Sequence, residues 1–518
     1  MAGTRVAKWG ATHLPMPTPR RYIALLFLSL ATLGFSAPTT GPVDPNAEKL
    51  TLSEAIQRAL AKNYSIKVQG FNAAIAAARV TESLGKFDPT LNGNYNYSTA
   101  ENPALTDITT GLRPPADVSR TDEYGLNVGG LLPWGMTYQL GATATNARGT
   151  FNSYADNFST FAGVSGTQPL LRNFGLGATL ASIQIAQTNR GISDWQFRQS
   201  VIDTITSVIF AYNDLNFSYA NYRSAVRSRD LAADLLAENE KRFKVGSMSE
   251  YDVTSARSRV ASREEGILSA ANYVRRSENA LKQLITDTRN PTLLAQAVTI
   301  EEPAPAPVVM VDAATDFRTA LEKRPDYQQA SLALRRDGIS ARLQRNQMLP
   351  RVDLVGSYGY NGYDTALRVS RQQVRNEDYH AYSWGVVVSV PLTFTTERGR
   401  YRAARLQEQQ SETDLARVEQ DIVVRVGNAA NDVETGQKRI QATRKARELA
   451  QATLDAEVKR LRAGQSNTFF VSQQQEILTF AEVSEAAAQS DYHKALAEYD
   501  RQLGLTLEKL NVNITPPK

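Results

Sequence analysis

The 518-residue chain contains no cysteine, which excludes a disulfide framework, a thiol nucleophile, thiolate metal sites and a lipidated N-terminal cysteine. It has only three histidines, His13, His380 and His493, so an imidazole-based metal or acid–base site is poorly supplied. It also lacks a Gly-rich phosphate loop, a nucleophile elbow, an HExxH pattern and any visible histidine–carboxylate cluster. No catalytic, cofactor-binding or metal-binding residue is therefore expected. Beyond one run near the N-terminus, no segment reads as a membrane helix. An exported chain of this kind can enter a membrane only as a β-barrel. The net charge of +5 comes partly from the first residues and carries no nucleic-acid footprint.

The composition that remains is that of a folded chain, 42% hydrophobic and 21% charged, which rules out general disorder. Arg20-Arg21 precede an apolar run from Tyr22 to Phe35 that ends in Ser36-Ala37. A basic start, an apolar stretch and small residues at a cleavage point predict an export signal over residues 1–36. The run is short of the ~20 residues that span a bilayer. Cleavage is placed after Ser36, because Pro38 disfavours a cut behind Ala37. Arg20-Arg21 faintly resemble a twin-arginine signal, and Met16 is an alternative start. Residues 37–50 are expected to be a flexible segment.

What dominates the sequence is a duplication. Ala59-Leu60-Ala61-Lys62 through Pro89 to Tyr97 aligns without a gap on Ala320-Leu321-Glu322-Lys323 through Pro350 to Tyr358. Gly163 with Gln168-Pro169-Leu170 aligns on Gly385 with Val390-Pro391-Leu392. Lys241-Arg242-Phe243-Lys244-Val245-Gly246 aligns on Lys459-Arg460-Leu461-Arg462-Ala463-Gly464. Recurrence of the same elements in the same order predicts a pseudo-symmetric fold. The first repeat is set at 51–286 and the second at 315–505, with a Pro-rich linker at 287–314 and a tail at 506–518.

Each repeat reads as helix, strands, long helix and return helix. In the first, the opening helix breaks near Asn63-Tyr64, strands lie within 90–168, and helices follow at 177–245 and 249–285. In the second, strands lie within 352–390 and helices at 399–463 and 466–503. Val201, Ile205, Val208, Tyr212, Leu215, Tyr219, Tyr222 and Val226 alternate steps of four and three, the 3.5-residue period of supercoiling helices. Ile422, Val426, Ala429, Val433, Gly436 and Ile440 repeat it. A helix of about 68 residues would span roughly 100 Å, longer than one compact domain needs. Pro89, Pro169, Pro350 and Pro391 stand where helix and strand exchange, since proline cannot continue a helix and removes a ladder donor. Segment 101–121 reads as a polar loop. The hairpin Tyr124–Thr145 has no counterpart in the second repeat, so whether it adds strands is left open. Four strands per chain are favoured, which would give twelve in a trimer, an even number suited to an antiparallel barrel.

These motifs resemble the TolC-type outer-membrane efflux proteins over about Leu50 to Leu505. The likeness rests on Arg242-Phe-Lys-Val-Gly246 followed by Asp252, on Arg460-Leu-Arg-Ala-Gly464, and on the proline-bounded strand ends. It implies a mixed α and β membrane protein: a homotrimeric β-barrel in the outer membrane, continuous with an α-helical barrel through the periplasm. It also implies docking to a periplasmic adaptor and an inner-membrane pump, with no cofactor and no nucleic acid. Lys244, Val245, Gly246, Arg462, Ala463 and Gly464 are the adaptor-side positions on that basis. Asp252 matches an aspartate of the family's closed gate. The second hairpin departs from the family pattern, with Leu461, Ser466, Phe470 and Gln473 where a tyrosine, an arginine and two aspartates are expected. Phe469 and Phe470 are assigned instead to an apolar periplasmic gate.

Three competing readings stand beside this one. An enzyme lacks motifs, and the acidic residues sit beside Arg and Lys on helices, as on an interhelical face. A trimeric coiled-coil surface protein explains the heptads but not strands inserted twice between helices. The channel of a type I protein secretion system keeps the fold and changes the cargo.

Overall fold

The computed structural model describes residues 49–514 except 104, 105, 107, 113, 114, 295 and 306. The expected signal segment 1–36, most of segment 37–50 and the last four residues lie outside the described residues. No described helix is long and apolar enough to cross a membrane.

Helix α1 (Leu52–Lys62) starts at Thr51, whose hydroxyl accepts from the Glu54 N–H while the Glu54 carboxylate accepts from the Thr51 N–H, a reciprocal cap. Asn63 separates it from α2 (Tyr64–Leu84): its Oδ1 accepts from the Ser65 N–H at 2.8 Å, and its Nδ2 donates to the Leu284 carbonyl at 3.0 Å. The second repeat breaks at the equivalent place, between α5 (Ala313–Lys323) and α6 (Pro325–Gln347). There the Arg324 guanidinium donates to the Gln502 carbonyl at 3.2 Å. Both helix breaks are therefore tied to the far end of a return helix.

The long helices are α3 (Ala181–Lys244) and α8 (Thr395–Arg462), returned by α4 (Glu250–Ile285) and α9 (Thr468–Leu503). At 64 and 68 residues the two span roughly 100 Å each. Val201, Ile205, Val208, Tyr212, Leu215 and Tyr219 are buried in one cluster with Val274, Leu281 and Ile285 of α4. Ile422, Val426, Ala429 and Val433 form a second with Tyr492, Tyr499 and Leu503. A third, Ala450, Leu454, Leu461, Val471 and Leu478, zips α8 to α9 near the turn. Ion pairs lace the helices on their polar sides, among them Arg263–Glu476 at 2.6 Å and Lys494–Asp214 at 2.8 Å.

Tyrosines of these seams fasten the linker. The Tyr212 hydroxyl donates to the Glu301 carbonyl at 2.6 Å, and the Tyr492 hydroxyl to that of Pro307 at 2.8 Å. Lys49–Leu50 pairs in parallel with Thr299–Ile300. The end of the expected flexible segment is thus a strand, because the linker supplies it with backbone partners.

Six strands form one antiparallel sheet in chain order: β1 (Thr90–Asn102), β2 (Asp117–Leu131), β3 (Thr137–Gly149), β4 (Phe158–Pro169), β5 (Arg351–Asp364) and β6 (Tyr379–Ser389). The favoured count of four strands per chain is corrected to six. The unmatched hairpin becomes β2 and β3, inserted in register between β1 and β4. An added hairpin preserves the up–down order and is hydrogen-bonded to a neighbouring strand on each side, so the sheet accepts it without a topological cost. The polar loop narrows to 103–116 because β1 and β2 continue pairing to Asn102↔Asp117. Between β5 and β6 stands a helix of nine residues, α7 (Leu367–Arg375).

Carboxylates of the second repeat set an acid limit on this fold. Asp337 on α6 is buried, which alone would raise its pKa. Hydrogen bonds from Arg336 (2.8 Å) and from Ser411 of α8 (2.6 Å) outweigh this and hold it below the usual carboxylate range. Asp326 and Glu498 are held low in the same way, burial being outweighed by Arg324 and by Arg501. A depressed folded pKa contributes stability that is complete above the unfolded value, about 4, and is lost as pH falls through the folded value. Thermal melts should therefore be flat from pH 7 to 5 and fall below pH 4. Asp337→Asn should melt lower at pH 7 and lose less between pH 5 and 3. An acid slope equal to that of the wild type would refute the assignment.

Candidate channel wall and helical tips

Partners in an antiparallel ladder point to the same side, so the register sorts the sheet into two faces. One carries Leu91, Tyr95, Tyr124, Leu126, Leu140, Val164, Tyr358, Tyr382, Trp384 and Val386, mostly exposed in the single chain. The other carries Asn92, Asn94, Asn96, Asn127, Gln139, Thr143, Ser165 and Ser357. Apolar-out and polar-in alternation with aromatics near one rim is the wall of a transmembrane barrel. Toward the chain's exterior end the apolar face turns polar at Asp122, which pairs with Arg148 and accepts from the Tyr95 hydroxyl at 2.9 Å.

The sheet has two edges unpaired within the chain, β1 and β6. In hydrocarbon each bare N–H and C=O is costly, so both edges require a strand partner. β1 runs away from the helices and β6 toward them, so β6 of one copy meets β1 of the next in antiparallel fashion.

The proline positions fall at the element boundaries. Pro89 precedes β1, Pro169 ends β4 opposite Asp353, Pro350 precedes β5, and Pro391 stands between β6 and α8. The polar mouth between sheet and helices, a cavity of about 650 Å³, is lined by Lys86, Arg172, Arg351, Asp353, Thr167 and Pro169 among others.

The two helical turns are built alike. Gly246 (φ 79°) and Gly464 (φ 75°) occupy the left-handed region that favours glycine. The Gly246 N–H donates to the Phe243 carbonyl and the Ser247 N–H to that of Arg242; the Gly464 N–H donates to Leu461 and the Gln465 N–H to Arg460. This is the same C-terminal cap twice. Lys244, Arg462 and their neighbours thus sit at the last helical carbonyls, where cations are favoured. Val245 is 78% exposed, an apolar side chain presented at the turn.

The gate residues divide. Asp252 is used by its own helix: its carboxylate accepts from the Ser249 N–H at 3.3 Å and the Ser249 hydroxyl at 2.6 Å, closing the cap of α4. Phe469 and Phe470 lie in the first turn of α9, 57% and 48% exposed. Their rings pack edge to face at 5.7 Å, and the Arg259 guanidinium sits 5.7 Å over Phe469. α7, which covers part of the outer wall, went unnoticed in the sequence; the spacing of Leu367, Ser370 and Val374 against Arg368, Arg371 and Arg375 is the signal that marks it.

A two-faced antiparallel sheet carried on a duplicated pair of helical hairpins defines a channel-tunnel of the outer membrane. The family model described as outer membrane efflux protein matches residues 55–286 and 317–505, and the chain belongs to that family. Its place is the outer membrane of a double-membraned bacterium, with its helices extending into the periplasm. No curated sequence relative was found. Among solved structures it is similar to the outer-membrane channel OprN (TM-score 0.66, 16% identity, 90% of this chain and 94% of that one). It is also similar to the Campylobacter jejuni CmeC outer membrane channel (0.65, 15%, 94% and 94%). A third is the open state of the Neisseria gonorrhoeae MtrE outer membrane channel (0.57, 19%, 88% and 89%).

Proposed function

We propose that three copies of this chain close into one channel that exports small molecules delivered by a periplasmic adaptor and an inner-membrane pump. The observation that carries this reading is the pairing of a lipid-facing wall, open at both edges, with two helical turns of matching construction. Edge-to-edge closure of three six-stranded sheets gives eighteen strands, an even number. At a strand spacing of ~4.8 Å and a tilt of ~40°, eighteen strands make a barrel roughly 36 Å across the backbone, against roughly 24 Å for twelve. So wide an exit places the limiting constriction at the other end, among the helical tips. Lys244, Val245, Gly246, Arg462, Ala463 and Gly464 are assigned to adaptor docking, and Phe469 and Phe470 of the second turn, with Asp252 of the first, to the gate.

Protein purified from outer membranes is expected to image as trimers with eighteen barrel strands and to conduct weakly in a planar bilayer. A twelve-stranded barrel would overturn the closure, and a soluble monomer or non-conducting rod would overturn the channel. Transport assays with the pump encoded beside it should follow small-molecule efflux; secretion of a polypeptide would move the channel to type I secretion.

A further inference from the structure

Helix α7 does not lie in the lumen. The Ser370 side chain, fully buried, donates to the Phe158 carbonyl at 3.3 Å and lies 2.8 Å from the Thr160 hydroxyl. The Ser370 carbonyl presses so closely on Gly362 that any side chain there would collide with it. Thr160 is paired with Gly362 on one side and Ala144 on the other, and Ala144 with Tyr124. All four point to the apolar, outward face. α7 is thus laid on the lipid side of the wall, where the tyrosines near the exterior rim mark the level of the headgroups.

Between α7 and the wall runs a groove of about 730 Å³. Its floor is apolar, with Tyr95, Tyr124, Leu126 and Ala142, and Arg371 and Arg375 stand at its rim beside Val374. Both arginines are exposed, and Arg368 with them. None of the three forms an ion pair among the described residues, whereas Arg148 on the same face is matched by Asp122 and Asp156. The nearby Glu377 carboxylate accepts from the Tyr360 hydroxyl at 3.0 Å. Unmatched cations at the edge of hydrocarbon are expensive unless an anion meets them. Guanidinium binds carboxylate and phosphate alike through paired N–H donors, and of these two the phosphate is the anion that lipid headgroups carry at this level of the wall.

We propose that the groove under α7 is a binding site for a phosphate-bearing lipid of the outer leaflet. An acyl chain lies against Leu126 and Ala142, and the headgroup phosphate is held by Arg371 and Arg375. The site is continuous with the lipid-facing wall, so a membrane lipid reaches it without leaving the bilayer. Its occupant seals α7 to the wall and anchors the exterior rim at a fixed depth.

The test uses the full-length protein in nanodiscs made of a neutral, phosphate-free glycosyl diacylglycerol alone or with a phosphorylated, multiply acylated glycolipid. Wild-type protein should retain the glycolipid through purification and melt higher in its presence. Arg371→Gln with Arg375→Gln should weaken retention by about tenfold for each charge-assisted contact removed and abolish the shift in melting. Ala142→Trp, which fills the floor and leaves the charges in place, should do the same. Retention by both variants equal to that of the wild type would overturn the site. A melting shift reproduced by inorganic phosphate alone would reduce it to an anion site without a lipid. Single-channel conductance, measured in parallel, reports on the channel reading separately and should be unchanged in both variants.

Discussion

Lys282→Ala is expected to destabilise the first repeat by about 3–5 kcal/mol, the usual result of stranding one member of a buried ion pair. Lys282 and Glu278 lie one turn apart on α4, 3.5 Å from each other, with side chains only 7% and 8% exposed. Glu278 also accepts from the Tyr219 hydroxyl of α3 at 2.8 Å. Burial and that carboxylate push the Tyr219 hydroxyl well above its ordinary pKa, so it stays a neutral donor throughout the working range. Removing the ammonium leaves a buried carboxylate facing a neutral hydroxyl. The melt followed by helical circular dichroism should fall by roughly 3–5 °C. Glu278→Leu combined with Lys282→Met should recover most of the loss, because both charges are gone and the single Tyr219 hydroxyl proton can pass to the Val298 carbonyl at 2.8 Å. If the single variant melts like the wild type, the pair is solvated and carries no structural weight.

The second large effect concerns passage. Phe469→Ala with Phe470→Ala is expected to raise single-channel conductance several-fold. In three copies the exposed rings would form a narrow apolar collar at the helical tips, and such constrictions close by dewetting. Because both rings are about half exposed in the single chain, truncating them removes little core packing, and thermal stability should change little. Phe469→Leu with Phe470→Leu keeps the collar apolar and should stay near the wild-type conductance. A double alanine variant with unchanged conductance but a lower melting point would assign the rings to packing between neighbouring helices. The Asp252 carboxylate is already engaged by the cap at Ser249, so Asp252→Asn should loosen the α4 start more than it opens the pore.

Much of this architecture was legible in the residues because it is local. The four-and-three spacing from Val201 to Tyr219 marks a buried seam whatever surrounds it, since helical geometry alone brings those side chains to one stripe. Gly246 and Gly464 mark turns because few other residues accept a positive φ. The prolines mark the ends of helices and strands because they lack the donor that either ladder needs. The break at Asn63 follows from a side chain that competes for helical N–H groups.

Other features depended on which strand lies beside which. Residues 117–149 alternate as any hairpin does, and nothing in their own pattern says whether they join the wall or stand outside it; pairing with β1 and β4 makes six strands. The same register assigns Tyr124 and Thr160 to the outward face, and only then does α7, resting on Thr160 and Gly362, become a helix on the lipid side. Nothing in the sequence alone sets Arg371 and Arg375 apart from other charged residues. Asp252 matches the family's gate aspartate by its distance along the chain from Gly246; that its carboxylate also closes the cap at Ser249 is seen only in space. By itself the sequence determined the repeat, the elements, their caps and their apolar stripes, because short-range geometry fixes periodicity and termini. The tertiary structure decided the number of strands, the two faces of the wall and the partner of each charge, because these depend on contacts between residues far apart in the chain, which no local pattern encodes.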